Sequence, residues 1–535
     1  MANLSKIKRE KMLEYLKKLK AINNDDENIR AITEIENALN EKKYGLVWEE
    51  HSEKVDEMLE HNIPIFVEEK ERKITVNGNE TYNFLFEGDN LHSLKLLEKT
   101  HKGKIDVIYI DPPYNTGNKD FIYDDSFVDK TDGYAHSKWL SFMEKRILIA
   151  MELLADEGYF FISINNYEFG QLKLLMDSML GEANFIGCIT WESTTQPINA
   201  GTAKYQLQQK SEYIYCYSKN YQKKKEFILK NEEANLKYPH DGKYGKCRFE
   251  ILEKSDAGQY RRDSMKYKIL GMSPRVGKRW QIGEILARQL EKEGKVEIVD
   301  GIVKRAIYPE DELGKLKELP FWSHFSAKEF GTAQNGKEQL NKIIGYPVGF
   351  DTVKPLGVLK EIFCHFTNDI TILDFFAGSG TTGHAVMQLN KEDGGNRKYI
   401  LCTNNENNIC EEVTYQRLKN IQEELPHNLK YYKTDFIPKF SYDEESISDK
   451  MMEHIRELIE LECAIELDGK KYIILDDEEK LDEIISNIEN DGKLFVRSGI
   501  FLSRRNQRIL EEKGVSTIEI PEYYFRDELK EVGEL

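Results

Sequence analysis

The most constraining feature of this sequence is an alternation of short apolar strands with helical segments, which occurs in two separate blocks. In residues 82–190, the strand-like runs NFLF, VIYI and GYFFISI alternate with the helical pattern LHSLKLLEK and with a long helix around Trp139–Leu154. In residues 350–425, the runs ITIL and YILC flank a further helical pattern. Strands separated by helices of this length predict βαβ units and therefore a parallel, doubly wound α/β sheet.

The two blocks predict one sheet that is encoded in two pieces, with other segments around it. Between about 220 and 345 the periodicity weakens, which indicates an insertion, and after about 440 a separate alternation begins. A chain of 535 residues is long enough for several domains. We predict an N-terminal helical arm (1–80), the first part of the sheet (81–220), an inserted domain (221–345), the second part of the sheet (346–435) and a small acidic C-terminal α/β domain (436–535).

The charge is spread unevenly over these segments. A net charge of −18 alone argues against a polyanionic partner, because phosphate binding depends on lysine and arginine. Residues 221–330, however, contain 24 lysines and arginines against 18 aspartates and glutamates, whereas residues 441–535 contain 13 against 26. Affinity for a polyanion is therefore expected to be local and confined largely to residues 192–345, while the acidic tail is expected to face protein or solvent.

Cysteine usage and hydropathy exclude several classes of protein. The seven cysteines are scattered singly, without a C-x-x-C pair, which fits neither a disulfide framework nor a zinc ribbon. The N-terminus has no apolar signal region, and no run of about 18 apolar residues is present. We therefore expect a cytoplasmic protein with no membrane association and no metal site.

One candidate binding motif is the sequence DFFAGSG, residues 374–380, which follows the apolar run ITIL and opens a helix. Its glycines permit a strand-to-helix turn at which a ligand approaches the backbone closely. Such a turn accommodates a nucleoside-type cofactor, although a tight turn in any α/β protein has the same appearance.

A second and sharper motif is Asp111-Pro112-Pro113-Tyr114, which directly follows the run VIYI. Consecutive prolines block a helix and remove two N–H donors, so they fix a rigid loop at the carboxyl end of a strand, where ligands of open α/β sheets bind. A carboxylate, the Pro112 carbonyl and an aromatic face can accept two hydrogen bonds from an exocyclic amine and stack on its ring. The alternative is a surface turn that begins with aspartate.

Together the two motifs resemble the β group of S-adenosylmethionine-dependent DNA adenine amino-methyltransferases, in which the target-base motif precedes the cofactor motif. The resemblance covers about residues 82–425. It implies a Rossmann-like methyltransferase sheet with a circularly permuted motif order and S-adenosyl-L-methionine as cofactor. It also implies that the target adenine flips out of the DNA stack and that Asp111, Pro112 and Tyr114 are the catalytic residues.

The resemblance further implies a set of cofactor-binding residues. They lie in the motif GDN after the run NFLF, in the motif FDTVKP, in the glycine loop and after the run YILC: Asp89, Asn90, Lys354, Pro355, Asp374, Phe376, Gly378, Gly380 and Glu406. Asp89 is equally suited to cap the helix that follows it. The sequence departs from the family where an acidic residue usually holds the ribose, because Thr403, Asn404 and Asn405 occur there and Glu406 comes later.

The inserted segment resembles a target-recognition domain that binds double-stranded DNA. The candidate DNA-binding residues are basic and are interleaved with aromatic residues: Lys223, Lys224, Arg261, Arg262, Arg275, Lys278 and Arg279. Any one of these basic clusters is also consistent with an ordinary solvated surface.

Within the β group, the N-terminal arm, the long insertion and the extra C-terminal domain resemble the modification (Mod) subunit of type III restriction-modification systems. That resemblance implies a homodimer and a helicase-nuclease partner, with the C-terminal domain as a dimerisation or docking surface. A solitary or type II adenine methyltransferase and, less favoured, a cytosine-amino methyltransferase remain alternatives. A catalytically idle DNA-specificity subunit is a further alternative, which the intact proline and glycine motifs disfavour. A Rossmann oxidoreductase is another, but it predicts an acidic residue at the position of Thr403.

Overall fold

The computed structural model describes most of the chain. Its helices are α1 (Leu4–Ile22), α2 (Asp26–Asn40), α3 (Lys54–His61), α4 (Asn90–His101), α5 (Ala135–Leu153), α6 (Phe169–Leu180), α7 (Glu284–Lys292), α8 (Ala327–Phe330), α9 (Ala333–Ile344), α10 (Leu356–Phe363), α11 (Thr381–Asp393), α12 (Tyr415–Asn420), α13 (Ile447–Met452), α14 (Ile455–Cys463), α15 (Leu481–Asn487), α16 (Arg504–Glu512) and α17 (Arg526–Val532). The described residues are all except 1–3, 23–24, 41–47, 50, 77–79, 118–119, 124–125, 129–130, 198–200, 202–203, 206, 234–236, 258–261, 313–315, 351, 441–445, 521–523, 525 and 534–535.

The strands belong to one large sheet and several small ones. In chain order they are β1 (Asn62–Glu68), β2 (Tyr82–Glu87), β3 (Ile105–Ile110), β4 (Ile122–Tyr123), β5 (Ser126–Phe127), β6 (Leu154–Ile164), β7 (Phe185–Glu192), β8 (Ser211–Ser218), β9 (Lys230–Glu233), β10 (His240–Gly242), β11 (Gly245–Ile251), β12 (Glu253–Ser255), β13 (Lys278–Trp280), β14 (Val296–Val299), β15 (Ile302–Ile307), β16 (Leu316–Leu319), β17 (His324–Phe325), β18 (Thr371–Asp374), β19 (Lys398–Thr403), β20 (Asn428–Pro438), β21 (Tyr472–Leu475), β22 (Lys493–Val496) and β23 (Ser516–Glu519).

The large sheet confirms the prediction of one α/β sheet built from two blocks of sequence. Its strand order is β1-β20-β2-β19-β18-β3-β6-β8-β7-β17. The six strands from β20 to β6 are parallel, while β1 and β8 pair antiparallel with their neighbours. The first block supplies β2, β3 and β6, and the second supplies β18, β19 and β20. The central strands are buried on both faces, as their continuous apolar runs require.

The sheet order brings the two sequence motifs together. β18, which precedes the glycine loop, lies directly beside β3, which precedes the proline loop. From this position α11 leads to β19 on one side, and the strands β3 and β6 continue on the other. The chain therefore changes winding direction between β18 and β3, and ligands of open α/β sheets bind at such a switch point.

The prediction of an entirely helical N-terminal arm over residues 1–80 is wrong at its end. α1, α2 and α3 are helical, but the next residues form β1, which pairs with β20 at the edge of the large sheet. The sequence NIPIFVE contains β-branched and aromatic residues, which favour a strand. Pro64 is tolerated because β1 is an edge strand and needs hydrogen bonds on one side only.

The chain separates into two compact units. One comprises Met1–Ile228 and Trp322–Leu535, and the other is Leu229–Phe321. The second unit contains a four-stranded sheet in the order β10-β11-β15-β14 and the two-stranded ribbons β12-β13 and β16-β9. It is shorter at both ends than the inserted domain expected over 221–345.

The prediction of a separate C-terminal domain over residues 436–535 is wrong at its start, because this segment contributes to two cores and belongs to the same compact unit as the large sheet. α13 and α14 pack into the core of the large sheet through side chains such as Met451 and Leu458. Further along the chain, β21, β22 and β23 form a parallel three-stranded sheet, and Leu475, Leu494 and Leu510 are in its own core. No helix among the described residues is both long enough and apolar enough to cross a bilayer.

Candidate functional site

The proline loop begins at the end of β3 and is fixed from both sides. β3 is almost wholly buried, so its carboxyl end holds Asp111 at a defined position. The indole Nε1 of Trp139, on α5, donates a hydrogen bond of 2.7 Å to the carbonyl of Pro113. Beyond the loop, Asn115 adopts a left-handed conformation with φ 54° and donates a hydrogen bond of 2.6 Å to Glu168. The loop is therefore a rigid platform for Asp111 and Tyr114.

The glycine loop after β18 is shaped by the buried carboxylate of Asp374. This carboxylate accepts hydrogen bonds from the Phe376 N–H at 3.0 Å and from the Thr382 hydroxyl at 2.5 Å. Burial raises the pKa of Asp374 to about 7. Gly380 has φ +72°, and a Cβ there would lie 3.1 Å from Thr414 Cγ2, so both conformation and space require glycine. Asp374 and Gly380 thus shape the turn, whereas Phe376 and Gly378 line the adjacent cavity.

A buried arginine that the sequence analysis did not identify supports the glycine loop from behind. Arg417, on α12, is fully buried and donates hydrogen bonds to the Ser379 carbonyl at 3.2 Å and to the Thr381 hydroxyl at 2.7 Å. Burial lowers the pKa of its guanidinium to about 9. No local pattern in the sequence distinguishes Arg417 from an arginine on the exposed face of a helix.

A cavity of about 560 Å³ connects the two loops, within the size range of small-molecule sites. Six of the predicted site residues line it: Asp89, Asn90, Asp111, Phe376, Gly378 and Glu406. Its wall also includes residues without a predicted role, among them Glu53, Lys54, Phe142, Phe350, Thr403, Asn404 and Asn407. Among the described lining residues, five carry carboxylates and one is lysine. The cavity therefore favours a ligand with cationic groups and hydroxyl donors.

Asp89 and Asn90 are held by a buried ion pair. Asp89 caps α4 by accepting a hydrogen bond of 2.7 Å from the Leu91 N–H, and its carboxylate also lies 3.3 Å from Arg146. Arg146 is fully buried on α5 and pairs with Glu53 through contacts of 2.9 and 3.1 Å. Its Nε donates to Asn90 Oδ1, and the Asn90 amide in turn donates 2.9 Å to the carbonyl of Phe375. The network links α4 and α5 to the start of the glycine loop.

Polar and acidic residues line the cavity wall at the end of β19. Thr403 and Asn404 line the cavity where the family usually has an acidic residue, and Glu406 lines it slightly further along the chain. Asn405 instead donates a hydrogen bond of 3.2 Å to Glu87. The cavity wall thus contains the carboxylate of Glu406 beside the polar side chains of Thr403 and Asn404.

Lys354 lies against the proline loop and is not among the lining residues of the cavity. Its Nζ is 2.9 Å from both carboxylate oxygens of Asp111, 2.7 Å from the Tyr114 hydroxyl and 3.1 Å from Glu212. Burial opposes the charged form of Lys354, but the carboxylates of Asp111 and Glu212 outweigh this effect, and its pKa is raised. Burial and the charge of Asp111 raise the pKa of Tyr114 well above its usual value, so the phenol stays protonated.

Two further predicted site residues, Pro112 and Pro355, do not line the cavity. Pro112 is buried in the proline loop, and Pro355 is the residue that precedes the first turn of α10. Glu212, by contrast, lies at the start of β8 in a segment whose aromatic residues are the obvious sequence feature. Its contact with Lys354 spans 142 positions of sequence, so no spacing rule could have identified it.

The structure divides the candidate DNA-binding residues between the two compact units. In the larger unit, Lys223 pairs with Asp156 at 2.5 Å, and Lys224 Nζ lies 3.4 Å from the centre of the Tyr221 ring. In the unit Leu229–Phe321, the remaining described candidates are Arg262, Arg275, Lys278 and Arg279.

Three of those four lie near the ribbon β12-β13. Lys278 and Arg279 are on β13, and Arg275 pairs with Glu253 of β12 at 2.6 Å. Arg262 is exposed before a short 3₁₀ turn, and Arg261 lies outside the described residues.

No group of three or more histidine, cysteine and carboxylate side chains among the described residues is arranged to hold a metal ion.

Comparison with known families shows the family to which the chain belongs. Residues 105–416, which include both loops and the insertion between them, match the model of a family described as DNA methylase. The chain belongs to this DNA methylase family. Its relatives include the type III restriction-modification enzyme StyLTI Mod subunit of Salmonella typhimurium, 32% identical over 68% of this chain and 59% of the relative. The type II methyltransferase M.KpnI of Klebsiella pneumoniae is 32% identical over 68% of this chain and 90% of the relative.

A third relative of this chain is the type III EcoPI Mod subunit of Escherichia phage P1, 29% identical over 70% of this chain and 65% of the relative. The chain thus spans less than two thirds of the length of either Mod subunit. The solved structure of the PvuII DNA methyltransferase (cytosine-N4-specific) covers 73% of this chain and 97% of its own. Its identity to this chain is 11% and its TM-score is 0.35.

Proposed function

We propose that this DNA methylase transfers a methyl group from S-adenosylmethionine to the exocyclic amino group of adenine in DNA. The observation that carries the proposal is that Asp111 and Phe376 of the glycine loop, 265 positions apart in the sequence, line the same cavity. The acidic wall suits the cationic and hydroxyl-bearing cofactor, which supplies the methyl group when it is bound. Asp89, Asn90, Phe376, Gly378 and Glu406 are the proposed residues that hold it.

The proposed mechanism relies on positioning by the proline loop. Asp111 and the carbonyl of Pro112 accept hydrogen bonds from the amine of a flipped adenine, while the ring of Tyr114 stacks on the base. Holding the amine in line with the methyl group supplies most of the rate, because an oriented pair reacts as if at very high concentration. Lys354 holds the Asp111 carboxylate in place, because its Nζ lies 2.9 Å from both carboxylate oxygens.

Adenine is the proposed target because the loop begins with aspartate, where cytosine-amino enzymes more often carry serine. A type III modification subunit is the proposed biological form, and two of the relatives described above are named Mod subunits. Double-stranded DNA contacted by the unit Leu229–Phe321, a homodimer, a helicase-nuclease partner and a cytoplasmic location belong to the same proposal. The acidic C-terminal segment remains the proposed surface for dimerisation or docking.

The test is to express the chain in cells that lack adenine methylation and to map modified bases across the genome. We expect N6-methyladenine at one short recognition sequence and its loss in Asp111→Ala. Asp476→Ala is the matched control, because Asp476 is an exposed aspartate that directly follows β21 and pairs with Lys480. Absence of methyladenine from the wild type would refute the proposal, and methylated cytosine amines would support the alternative target.

A further inference from the structure

Four side chains beside the proline loop form one hydrogen-bonded cluster, and one of them, Glu212, has no part in the function proposed above. The cluster consists of Asp111, Tyr114, Lys354 and Glu212, which we call the Glu212 cluster. Glu212 Oε2 lies 3.0 Å from the Tyr114 hydroxyl and 3.1 Å from Lys354 Nζ. The side chain of Lys354 is 8% exposed and that of Glu212 is 14% exposed, so both charges are largely removed from water.

The Tyr114 hydroxyl carries one proton but has two carboxylate acceptors. Its oxygen is 2.7 Å from Asp111 Oδ1 and 3.0 Å from Glu212 Oε2, and it also accepts a hydrogen bond from Lys354. Asp111 Oδ1 is occupied by both Lys354 and Tyr114, which fill its two lone-pair directions. When the hydroxyl turns to donate to Glu212, Oδ1 regains a lone pair that can receive an amine N–H.

The net charge of the cluster also favours uptake of a proton. Two carboxylates share a single ammonium group, so the cluster carries a net charge of −1. Methyl transfer turns a neutral amine into a cation that must lose a proton. A cluster with one carboxylate in excess stabilises that cation and becomes neutral when it takes up the proton.

We propose that Glu212 is a positioning residue that receives, through Tyr114, the proton released by the methylated amine. The inference rests on the proposed methyl transfer. As the methyl carbon leaves sulfur and bonds to nitrogen, the amine becomes positively charged. Its N–H bond then breaks, and the proton passes to Asp111 Oδ1. Oδ1–H gives this proton to the Tyr114 oxygen, whose own hydroxyl proton moves to Glu212 Oε2. Lys354 stays charged throughout, and the partly exposed Glu212 returns the proton to water.

The first test is the steady-state kinetics of methyl transfer in Glu212→Gln. The amide oxygen can still accept hydrogen bonds from Tyr114 and Lys354, but the side chain cannot take up a proton. We expect kcat to fall about 100-fold, the lower end of general acid–base effects, with KM for DNA and cofactor nearly unchanged. Glu212→Asp retains a proton acceptor and should recover part of the lost rate.

The second test asks whether Glu212 acts through Tyr114. Tyr114→Phe keeps the stacking ring but breaks the chain of hydroxyl contacts, so Tyr114→Phe/Glu212→Gln should be no slower than Tyr114→Phe alone. Glu192→Gln is the matched control, because Glu192 is on β7, adjacent to β8, and contacts Lys210 and the Ala327 N–H. It should retain the wild-type rate.

The outcomes separate the relay from the function itself. A wild-type protein that methylates no DNA refutes the proposed function. Wild-type activity with an unchanged rate in Glu212→Gln, a change in KM alone, or multiplicative losses in the double variant refutes only the relay. If Glu212→Gln fails to fold, as judged by circular dichroism, the comparison of Glu212→Asp with Tyr114→Phe decides: an Asp variant at least as slow as Tyr114→Phe overturns the relay.

Discussion

Replacing Arg146 by methionine tests the ion pair beside the cavity that connects the proline and glycine loops. Arg146 is fully buried, donates to Glu53, Asn90 and the Phe142 carbonyl, and lies 3.7 Å from the centre of the Phe142 ring. Methionine preserves much of the apolar stem and removes the charge. The carboxylate of Glu53, whose side chain is 7% exposed, then loses its main partner in a buried position.

The expected loss of stability follows from the charges that remain. Removing one partner of a buried pair typically destabilises a protein by about 3–5 kcal/mol. Lys145 Nζ lies 3.9 Å from Glu53 and compensates in part, and Asp89 is 35% exposed and stays hydrated. We therefore expect the lower end, about 3 kcal/mol, which is roughly a 150-fold change in the unfolding equilibrium at 1.4 kcal/mol per tenfold.

The loss should depend on pH with a definite sign. Burial raises the pKa of Glu53, and Arg146 opposes that increase. Without Arg146 the folded-state pKa rises further above the unfolded value, so the penalty is largest at neutral pH and shrinks as pH falls through that raised pKa. Glu53→Gln/Arg146→Met removes both charges and should restore most of the stability.

Urea unfolding of the full chain at pH 7.5 and pH 5 measures these effects. Lys95→Met is the control, because Lys95 forms an exposed pair with Glu98 on α4 and should change the unfolding free energy by less than about 0.5 kcal/mol. Two results would refute the reasoning: an Arg146→Met variant within 1 kcal/mol of the wild type (roughly the scale of exposed pairs) at both pH values, or a double variant no more stable than Arg146→Met.

Two further predictions concern the glycine loop and DNA. Burial raises the pKa of Asp374 from 3.8 to about 7, so the stability that its protonated form contributes is fully present below pH 3.8 and is lost as the pH rises through 7. Asp374→Asn should therefore flatten the dependence of the unfolding free energy on pH between pH 4 and 8. An unchanged pH dependence in this variant would contradict the prediction. Lys278→Ala should weaken DNA binding similarly for all sequences and reduce the slope of log affinity against log salt by about one, as measured by fluorescence anisotropy; loss at one sequence alone would indicate base reading instead.

Much of the fold could be predicted from the sequence because strands and helices leave periodic apolar patterns. The runs ending at Ile110, Ile164 and Asp374 are strands, and the helix around Trp139 is α5. The strand β1 is difficult to predict, because NIPIFVE is short, contains proline and follows a helical stretch. The boundaries of the insertion were displaced, since polar turns occur on both sides of the unit Leu229–Phe321.

The candidate site was only partly predictable, for a different reason. Asp111, Phe376 and Gly378 follow apolar strands and carry recognisable turn chemistry, and all three line the cavity. Lys354 belonged to a recognised motif, but its contact with Asp111 across 243 positions could not be inferred from that motif. Arg417 and Arg146 lie within helices whose local patterns resemble any amphipathic helix.

The sequence by itself determined which strands end in the proline and glycine loops, because a proline pair and a glycine turn act on the backbone locally. Only the tertiary structure decided that β18 lies beside β3, which brings Asp111 and the glycine loop to one cavity. It also decided which charges meet, as with Glu53 and Arg146 or Glu212 and Lys354. An ion pair depends on distance and burial in three dimensions, and these arise from sheet order, not from spacing along the chain.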